Sequence, residues 1–355
     1  MFFGSDNQSC ASQVVLDAII NANQGFTHGY GDDQYTQEAI AQLEAVFECP
    51  LNVFFVATGT AANCLSLAAL VKPWQTILCH QHAHVFMDES TAPEWFTSGA
   101  RMVGIAQTHN KLSVQALEEY LVQAGDDLPH NPQVGAVTIT QANELGQVYS
   151  VEEIQSISQV CKSHNIKLHM DGARFANAVA ALNCSPADIT WKAGVDILSL
   201  GATKSGALCA EAIVVFNPDV KDTLMHLRKR SGHLISKGRL FGAQFSAWLK
   251  DQHWLTLALH ANAQASQLAN QLKSCTNVDV IFPVPANEIF MLLPTALAQY
   301  LRENGAEFYD WYPQTLPENI QHTENQSYVR LVTSFLTTDE HIENFITTIQ
   351  AYKQT

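Results

Sequence analysis

The chain has 355 residues, of which 47% are hydrophobic and 15% charged, so it can bury a large core and is not expected to be disordered. Its 34 acidic and 19 basic residues give a net charge of −15, and no basic run offsets it locally, which argues against nucleic-acid and membrane partners. The eight cysteines are scattered without a C-x-x-C pair, and no leader or membrane span is evident, so we expect a cytoplasmic protein.

The first fifty residues predict two helices joined by the polar segment HGYGDDQY (28–35). Short apolar or β-branched runs then alternate with stretches of helical periodicity. The runs are 53–58, 76–79, 101–106, 135–140, 166–170, 195–200 and 212–216, and the helical stretches include 60–70, 114–124, 151–164 and 174–182. This alternation predicts an α/β fold with a mostly parallel sheet flanked by helices.

The pattern changes after about residue 245. A helical stretch near 243–274 is followed by three apolar runs, 278–284, 288–294 and 328–335, and by a final helix within 341–353. We therefore predict a large domain over 1–245, which includes the N-terminal segment, and a smaller α+β domain over 246–355.

Lys204 lies just past the apolar run 195–200 and has small neighbours in GATKSGAL (201–208). Small neighbours would let a planar ligand approach the amine. A lysine at the mouth of a buried sheet has a lowered pKa and can form a Schiff base with an aldehyde cofactor. A solvated loop lysine is the alternative interpretation.

Asp171 lies in HMDGAR (169–174), at the carboxyl end of a predicted strand. Ligands bind at that end of the strands in open α/β sheets. An acid there can keep the pyridine nitrogen of pyridoxal phosphate (PLP) protonated, which makes the ring a better electron sink. A helix N-cap would explain the aspartate equally well. Because Lys204 follows one strand–helix crossover later, the presence of both residues favours the interpretation that Asp171 binds the cofactor.

The segment ATGTAANCLSLAAL (57–70) predicts a strand, a Gly-Thr turn and then an apolar helix. Exposed N–H groups at a helix start attract phosphate. Gly59, Thr60 and Ala61 are therefore candidate ligands of the PLP phosphate, although an ordinary strand-to-helix turn would look the same.

Three histidines alternate in HQHAH (80–84) and would share one face if the segment were extended. They could ligate zinc, but no cysteine or carboxylate is suitably placed in sequence, so no metal is expected. We interpret His84 instead as an aromatic platform for the pyridine ring.

Taken together and in order, several segments resemble the threonine aldolase and β-eliminating lyase group of fold-type I PLP enzymes. They are SDN (5–7), YGDDQYT (30–36), the phosphate turn at 59–61, AHV (83–85), MDGAR (170–174), GATKSGA (201–207) and YVRLVT (328–333). The resemblance implies a carbon–carbon lyase that cleaves L-threonine or L-allo-threonine to glycine and an aldehyde. It implies that Lys204 holds PLP, that Asp171 pairs with the pyridine nitrogen and that His84 stacks on the ring. It further implies that Ser5, Arg174 and Arg330 bind the substrate carboxylate; for the arginines a helix cap, a core ion pair or a surface position are the alternatives.

The resemblance also implies a homodimer or homotetramer whose sites lie between subunits, with basic residues of a neighbour holding the phosphate. RKRSGHLISKGR (228–239) occupies the corresponding region, and Lys229, Lys237 and Arg239 are the candidates. A solvated helix face is the alternative.

One departure from the family concerns the base that acts on the substrate hydroxyl. Many members carry a histidine before the segment that corresponds to GQVYS (146–150), whereas this chain has Asn143 near that place. Asparagine cannot be a general base. His84, a phosphate oxygen or water could take the proton, or the substrate could be an aromatic amino acid such as phenylserine. Another PLP reaction, such as β-elimination, and a PLP-binding protein without turnover also remain open.

Overall fold

The computed structural model describes residues 1–106, 110–125 and 128–352. Its helices are α1 Gln13–Ala22, α2 Gln34–Phe47, α3 Gly59–Leu70, α4 His84–Met87, α5 Ala92–Phe96, α6 Val114–Ala124, α7 Val151–Ser163, α8 Phe175–Leu182, α9 Lys221–Arg230, α10 Arg239–Leu249, α11 His253–Leu272, α12 Thr295–Glu303 and α13 Asp339–Ala351. Its strands are β1 Asn52–Val56, β2 Thr76–His80, β3 Arg101–Ile105, β4 Val134–Thr140, β5 Lys167–Gly172, β6 Ile197–Gly201, β7 Glu211–Val215, β8 Asp279–Val280, β9 Glu288–Pro294, β10 Tyr309–Asp310 and β11 Gln326–Val332.

The first sheet has seven strands in the order β1-β7-β6-β5-β4-β2-β3. Neighbouring strands from β6 to β3 are parallel, and β7 runs antiparallel to both β6 and β1. The carboxyl ends of β1, β2, β4, β5 and β6 therefore lie at one edge, together with the first residue of β7. Ligands bind at this edge in open α/β sheets.

These strands are the seven that the apolar runs predict, and the prediction is confirmed. Strands β2, β6 and β7 are buried along their whole length, since helices cover both faces of the sheet. The predicted helices α3, α6, α7 and α8 are also present. Helix α7 has the clearest start signal, because Ser150 and Glu153 form a reciprocal capping box.

The helical stretch predicted at 243–274 differs from the structure in one respect. It is two helices, α10 and α11, separated at Lys250–Gln252. Asp251 and Gln252 adopt left-handed φ angles of 51° and 57°, which no helix interior accepts. The final helix, α13, is present, and Lys353 at the end of its predicted range lies outside the described residues.

The second sheet is antiparallel, with the order β10-β11-β9-β8, and packs against α11, α12 and α13. Its hydrophobic core also contains Phe3 from the start of the chain. Backbone bonds fix that segment: Phe3 N–H donates to Glu307 at 2.8 Å, and its carbonyl accepts from Val332 at 2.8 Å. The N-terminal residues thus cross to the second sheet, and the division at residue 245 stays a prediction.

Within the described ranges, no helix combines the length and the apolar character needed to cross a membrane.

Candidate active site

A cavity of about 470 Å³ opens at the edge where the carboxyl ends of β2, β4, β5 and β6 meet. Eight of the predicted site residues line it: Ser5, Gly59, Thr60, His84, Asp171, Arg174, Lys204 and Arg330. A larger depression of about 690 Å³ lies elsewhere, lined by residues of 91–99 and 227–231. The structure therefore brings most of the predicted site together at one place.

Lys204 lies in a short 3-10 helix, Thr203–Ser205, directly after β6. Gly206 ends that helix with a φ of 109°, a conformation that favours glycine. Burial lowers the pKa of the Lys204 amine, and the positive charge of Arg174 lowers it further. A larger fraction of the amine is thus neutral and nucleophilic than in a solvated lysine.

Asp171 is buried at the carboxyl end of β5, and both of its oxygens accept hydrogen bonds. Asn63 donates to Oδ2 at 2.8 Å, and the backbone N–H of Ala173 donates to Oδ1 at 3.0 Å. The N-cap residue of α8 is Arg174, so the helix-cap interpretation of Asp171 does not apply. A carboxylate has about four acceptor positions, so Asp171 keeps acceptor capacity for a ligand.

Asn63 and Glu89 connect Asp171 to His84 through buried side chains. The same Asn63 amide nitrogen donates to Glu89 Oε1 at 2.9 Å, and that oxygen lies 3.0 Å from His84 Nδ1. The bond to Glu89 raises the pKa of His84 and fixes the orientation of its ring. Asp171 and His84, the two side chains that we expect to contact the pyridine ring, are therefore held by one hydrogen-bond network.

The three histidines of 80–84 do not form one extended segment. His80 ends β2, His82 lies in a turn with its N–H 3.2 Å from His80 Nδ1, and His84 begins α4. Across the described part of the chain, no group of three or more His, Cys, Asp or Glu is arranged to hold a metal ion.

Helix α3 points its N-terminus at the cavity. Thr58 is the N-cap, and its Oγ1 accepts the N–H of Ala61 at 3.1 Å. Ala61 is buried and its amide is used in this cap, whereas Thr58, Gly59 and Thr60 line the cavity. The first N–H groups of a helix lack partners within the helix and favour an anion.

Arg174 is buried and pairs with an acid of the N-terminal segment. Its Nε and Nη2 donate to the two carboxylate oxygens of Asp6 at 2.7 and 3.0 Å, and Asn287 donates to Asp6 at 3.1 Å. Burial alone would raise the pKa of Asp6, but the charges of Arg174 and Lys204 and the hydrogen bonds from Arg174 and Asn287 together outweigh it and lower the pKa to about 2. The alternative that we left open for Arg174, a pair with a core acid, is thus present, and the arginine also lines the cavity.

Arg330 reaches the cavity from β11 in the second sheet. Its Nη1 lies 3.3 Å from Glu288 Oε1, and its guanidinium carbon is 4.3 Å from the centroid of the Trp311 ring. Glu288 also lies 3.5 Å from Arg174, so one buried carboxylate sits between the two arginines. Ser5 caps the short helix Asp6–Gln8 on the same side.

The basic residues of 228–239 lie outside the cavity of their own chain. Lys237 is exposed, and Arg239 Nη1 donates to the carbonyls of Gln24 and Gly25 at 3.1 and 3.3 Å. Lys229 Nζ lies 5.2 Å from the centroid of the Tyr30 ring.

Asn143 has a structural role in the turn after β4. Its Nδ2 donates to the carbonyl of Asn110 at 2.6 Å, and its Oδ1 accepts from the N–H groups of Leu145 and Gln147 at 3.1 and 2.9 Å. The next residue, Glu144, lines the cavity.

Comparison with known proteins agrees with this geometry. Residues 3–293 match the family model of the beta-eliminating lyases. The chain belongs to the beta-eliminating lyase family. A low specificity L-threonine aldolase of Pseudomonas aeruginosa is 42% identical over 308 residues, which cover 86% of this chain and 88% of that protein.

Solved structures show the same relation. The structure of a threonine aldolase of Leishmania major superposes with a TM-score of 0.90 and 28% identity over 98% of both chains. A structure of SPT with its PLP internal aldimine has a TM-score of 0.69 and 16% identity, covering 99% of this chain and 86% of that one, and shows the fold alone. The architecture is that of fold-type I PLP enzymes, as the sequence predicts.

Sequence reasoning missed several acidic or amide side chains at the site, among them Asp6, Asn63, Glu89, Glu144, Glu211 and Glu288. Some signals were available. Asp6 lies inside SDN, from which only Ser5 was chosen, and Asn63 is a polar residue within the largely apolar helix α3. Glu288 opens the apolar run EIFMLLP, where a buried acid needs a cationic partner.

Proposed function

We propose that this chain is a PLP-dependent lyase that cleaves the Cα–Cβ bond of L-threonine and L-allo-threonine to give glycine and acetaldehyde. The observation that carries the proposal is the meeting of Lys204 and Asp171 at the ends of two neighbouring strands, in one cavity with the start of α3. The names of the relatives, low specificity L-threonine aldolase and threonine aldolase, support this choice among PLP reactions.

The residues present fit PLP at three points. The N–H groups and the hydroxyl at the start of α3 suit a phosphate, through Gly59 and Thr60. Asp171 has acceptor capacity for the pyridine nitrogen, and the ring of His84 is fixed beside it. Lys204 supplies the amine. When bound, PLP supplies a conjugated ring that stabilises negative charge developing at the substrate Cα.

The two arginines would orient the substrate. We propose that Arg330 and Arg174 bind the substrate carboxylate together with Ser5, because a guanidinium fork matches a carboxylate at two points. In the described residues, nothing hydrogen-bonds the buried Arg330 Nε, a donor that a bound carboxylate could satisfy. Holding the carboxylate sets which bond of Cα stands perpendicular to the ring, and thereby selects Cα–Cβ for cleavage.

An aromatic substrate is a second candidate, because Trp311 and Tyr312 line the cavity. Their rings lie 5.3 Å apart, centroid to centroid, with an angle of 56° between their planes, and offer aromatic contacts to a phenyl group. Phenylserine would then be cleaved to glycine and benzaldehyde by the same residues.

Both candidates are tested by one comparison of substrates. The PLP-loaded protein is incubated with L-threonine, L-allo-threonine and L-phenylserine separately, and aldehyde and glycine are measured. Lys204→Ala is the control, because it removes the only amine to which we assign the cofactor. Release of ammonia and a keto acid in place of aldehyde would indicate β-elimination. Binding of PLP without any product would indicate a carrier protein.

We also propose that the protein is a homodimer or homotetramer, in which Lys237 and Arg239 bind the phosphate of the neighbouring subunit. Phe26 is fully exposed, and Arg239 anchors the adjoining carbonyls of Gln24 and Gly25. Exposed apolar groups beside basic ones suit an interface between subunits.

Mixed oligomers test this arrangement. Lys204→Ala and the double variant Lys237→Ala, Arg239→Ala are each expected to be inactive alone. If the basic residues act across the interface, mixing the two variants creates some intact sites, and activity returns. Failure of every mixed oligomer to recover activity would contradict the proposal.

A cytoplasmic location and a role in supplying glycine are the remaining proposals. They rest on the scattered cysteines, all of which are free in the structure, and on the product of the proposed reaction.

A further inference from the structure

Glu144 is an acid at the cavity that the proposed function leaves without a role. It follows β4 and lines the cavity. Its Oε1 accepts the backbone N–H of His84 at 2.6 Å and the hydroxyl of Thr140 at 2.9 Å. The carboxyl group is therefore held from two sides, by the end of β4 and by the start of α4.

The strand order places Glu144 opposite Lys204. Along the edge of the sheet, β4 lies on one side of β5, which carries Asp171, and β6 lies on the other. Glu211, another acid that lines the cavity, begins β7 beyond β6, on the side of Lys204. Since adjacent strands are about 4.8 Å apart, the end of β4, whose Thr140 is bonded to Glu144, and the start of β7 are separated by three strand spacings. Glu144 thus shares the side of the cavity that His84 occupies.

The surroundings of Glu144 suit a group that exchanges a proton near neutrality. Burial raises its pKa to about 7, and the bonds from His84 and Thr140 only partly offset this. The titratable and charged groups that interact with it are Cys79 on β2, His84 on α4, Tyr149 after β4, Asp171 on β5 and Arg174 before α8. A pKa close to the working pH is what efficient proton transfer requires.

Other groups on this side are less suited to take a proton. The amide of Asn143 is used in its own turn. His84 Nδ1 is bonded to Glu89, which raises the pKa of the ring, so this nitrogen is not free to take a proton from the substrate.

We propose that Glu144 is the general base that removes the β-hydroxyl proton of the substrate. The O–H bond breaks as its proton passes to a Glu144 oxygen, and the O–H electron pair forms the second bond of the aldehyde carbonyl. The Cα–Cβ bond breaks, and its electron pair stays with Cα, which then takes a proton from solvent. Glu144 returns its proton to solvent, so the reaction neither gains nor loses a proton. This inference rests on the proposed function.

The test compares two reactions of PLP-loaded wild type and Glu144→Gln. One is cleavage of L-threonine or L-phenylserine, which needs a base for the hydroxyl. The other is exchange of the α-protons of glycine in D₂O, followed by NMR, which involves no hydroxyl. Glu211→Gln is the matched control, since it removes the other acid whose pKa burial raises to about 7. Absorbance titration of the cofactor reports whether each variant still binds PLP.

We expect Glu144→Gln to lower kcat/KM for cleavage by about 100- to 10,000-fold, while glycine exchange and PLP affinity change only a few-fold. In the wild type, kcat/KM should rise with pH through about 7, because the base must be unprotonated. This rise of kcat/KM with pH should be absent in Glu144→Gln. The control Glu211→Gln should not change the ratio of cleavage to exchange.

An infrared titration gives a readout that does not depend on activity. The protonated-carboxyl band that titrates near pH 7 should lose intensity in Glu144→Gln, and again when Glu211→Gln is added. If Glu144→Gln does not fold, Glu144→Asp replaces it, and it should cleave more slowly than wild type yet keep the rise of kcat/KM with pH.

Equal cleavage by wild type and Glu144→Gln, or a parallel fall of cleavage and glycine exchange, would overturn the assignment of Glu144. Wild type that exchanges glycine but releases no aldehyde from any β-hydroxy amino acid would instead overturn the proposed function.

Discussion

The ion pair between Arg174 and Asp6 should contribute much more to stability than an exposed pair of the same length. Its N–O distance is 2.7 Å, with side chains only 9% and 1% exposed. Asp6→Asn removes the negative charge and leaves Arg174 with Glu288 at 3.5 Å as its remaining acid. Breaking a buried pair costs about 3 to 5 kcal/mol. Because Glu288 stays, we expect a loss of about 3 kcal/mol, which for a chain of this length lowers Tm by about 4 °C.

The matched control is Glu48→Gln. Glu48 and Lys192 are also 2.7 Å apart, but their side chains are 47% and 37% exposed, so the substitution should change Tm little. Thermal unfolding of the three proteins is followed by calorimetry at saturating PLP, near pH 7. If Asp6→Asn melts as close to the wild type as Glu48→Gln does, burial does not strengthen this pair and the reasoning fails.

Three further predictions follow from the site. Lys204→Ala should abolish cleavage and the absorbance band of the lysine-bound cofactor, and a retained band would contradict the role of Lys204. Asn63→Asp places a third carboxylate against Asp171 and Glu89, so PLP affinity should fall at least about tenfold by absorbance titration; unchanged affinity would contradict the network. Because burial raises the pKa of Glu144 from 4.5 to about 7, wild type should lose about 3 kcal/mol of stability relative to Glu144→Gln between those pH values, and a pH-independent difference in unfolding free energy would refute it.

The sign of the last prediction follows from proton binding. Between pH 4.5 and about 7, the folded state holds a proton on Glu144 that the unfolded chain has released. Raising the pH through this range therefore favours unfolding, and the glutamine variant lacks the effect.

The sheet and the convergence of Lys204 with Asp171 could be predicted from the sequence. Buried strands are short apolar runs, which stand out between helices of 3.6-residue periodicity. Asp171 follows such a run directly and Lys204 lies just past one, and the carboxyl ends of parallel strands meet at one edge. Local pattern therefore decides both the element and the position of its last residue.

The partners of the site residues could not be predicted in the same way. Asp6 and Arg174 are 168 positions apart, and Asn63 reaches Asp171 across 108 positions. No periodicity links such pairs, because their contact depends on how helices and loops pack after the sheet has formed. The raised pKa of Glu144 likewise comes from burial, which a single glutamate in a turn does not reveal.

The segment HQHAH shows that a turn can invalidate a prediction that rests on residue spacing. Alternating histidines suggest one face only while the backbone stays extended. Here β2 ends at His80 and α4 begins at His84, so the three residues do not share one extended face, although the rings of His80 and His82 lie 5.4 Å apart, centroid to centroid. His84 alone meets the cavity.

The central claim is tested most directly by the products that the PLP-loaded protein forms from L-threonine. Acetaldehyde and glycine are assayed alongside ammonia and 2-oxobutanoate in the same sample, with Lys204→Ala as the blank. The account predicts acetaldehyde and glycine in equal amounts, with neither ammonia nor 2-oxobutanoate above the blank. Ammonia and 2-oxobutanoate without acetaldehyde would contradict it, because the same cofactor site would then be performing an elimination.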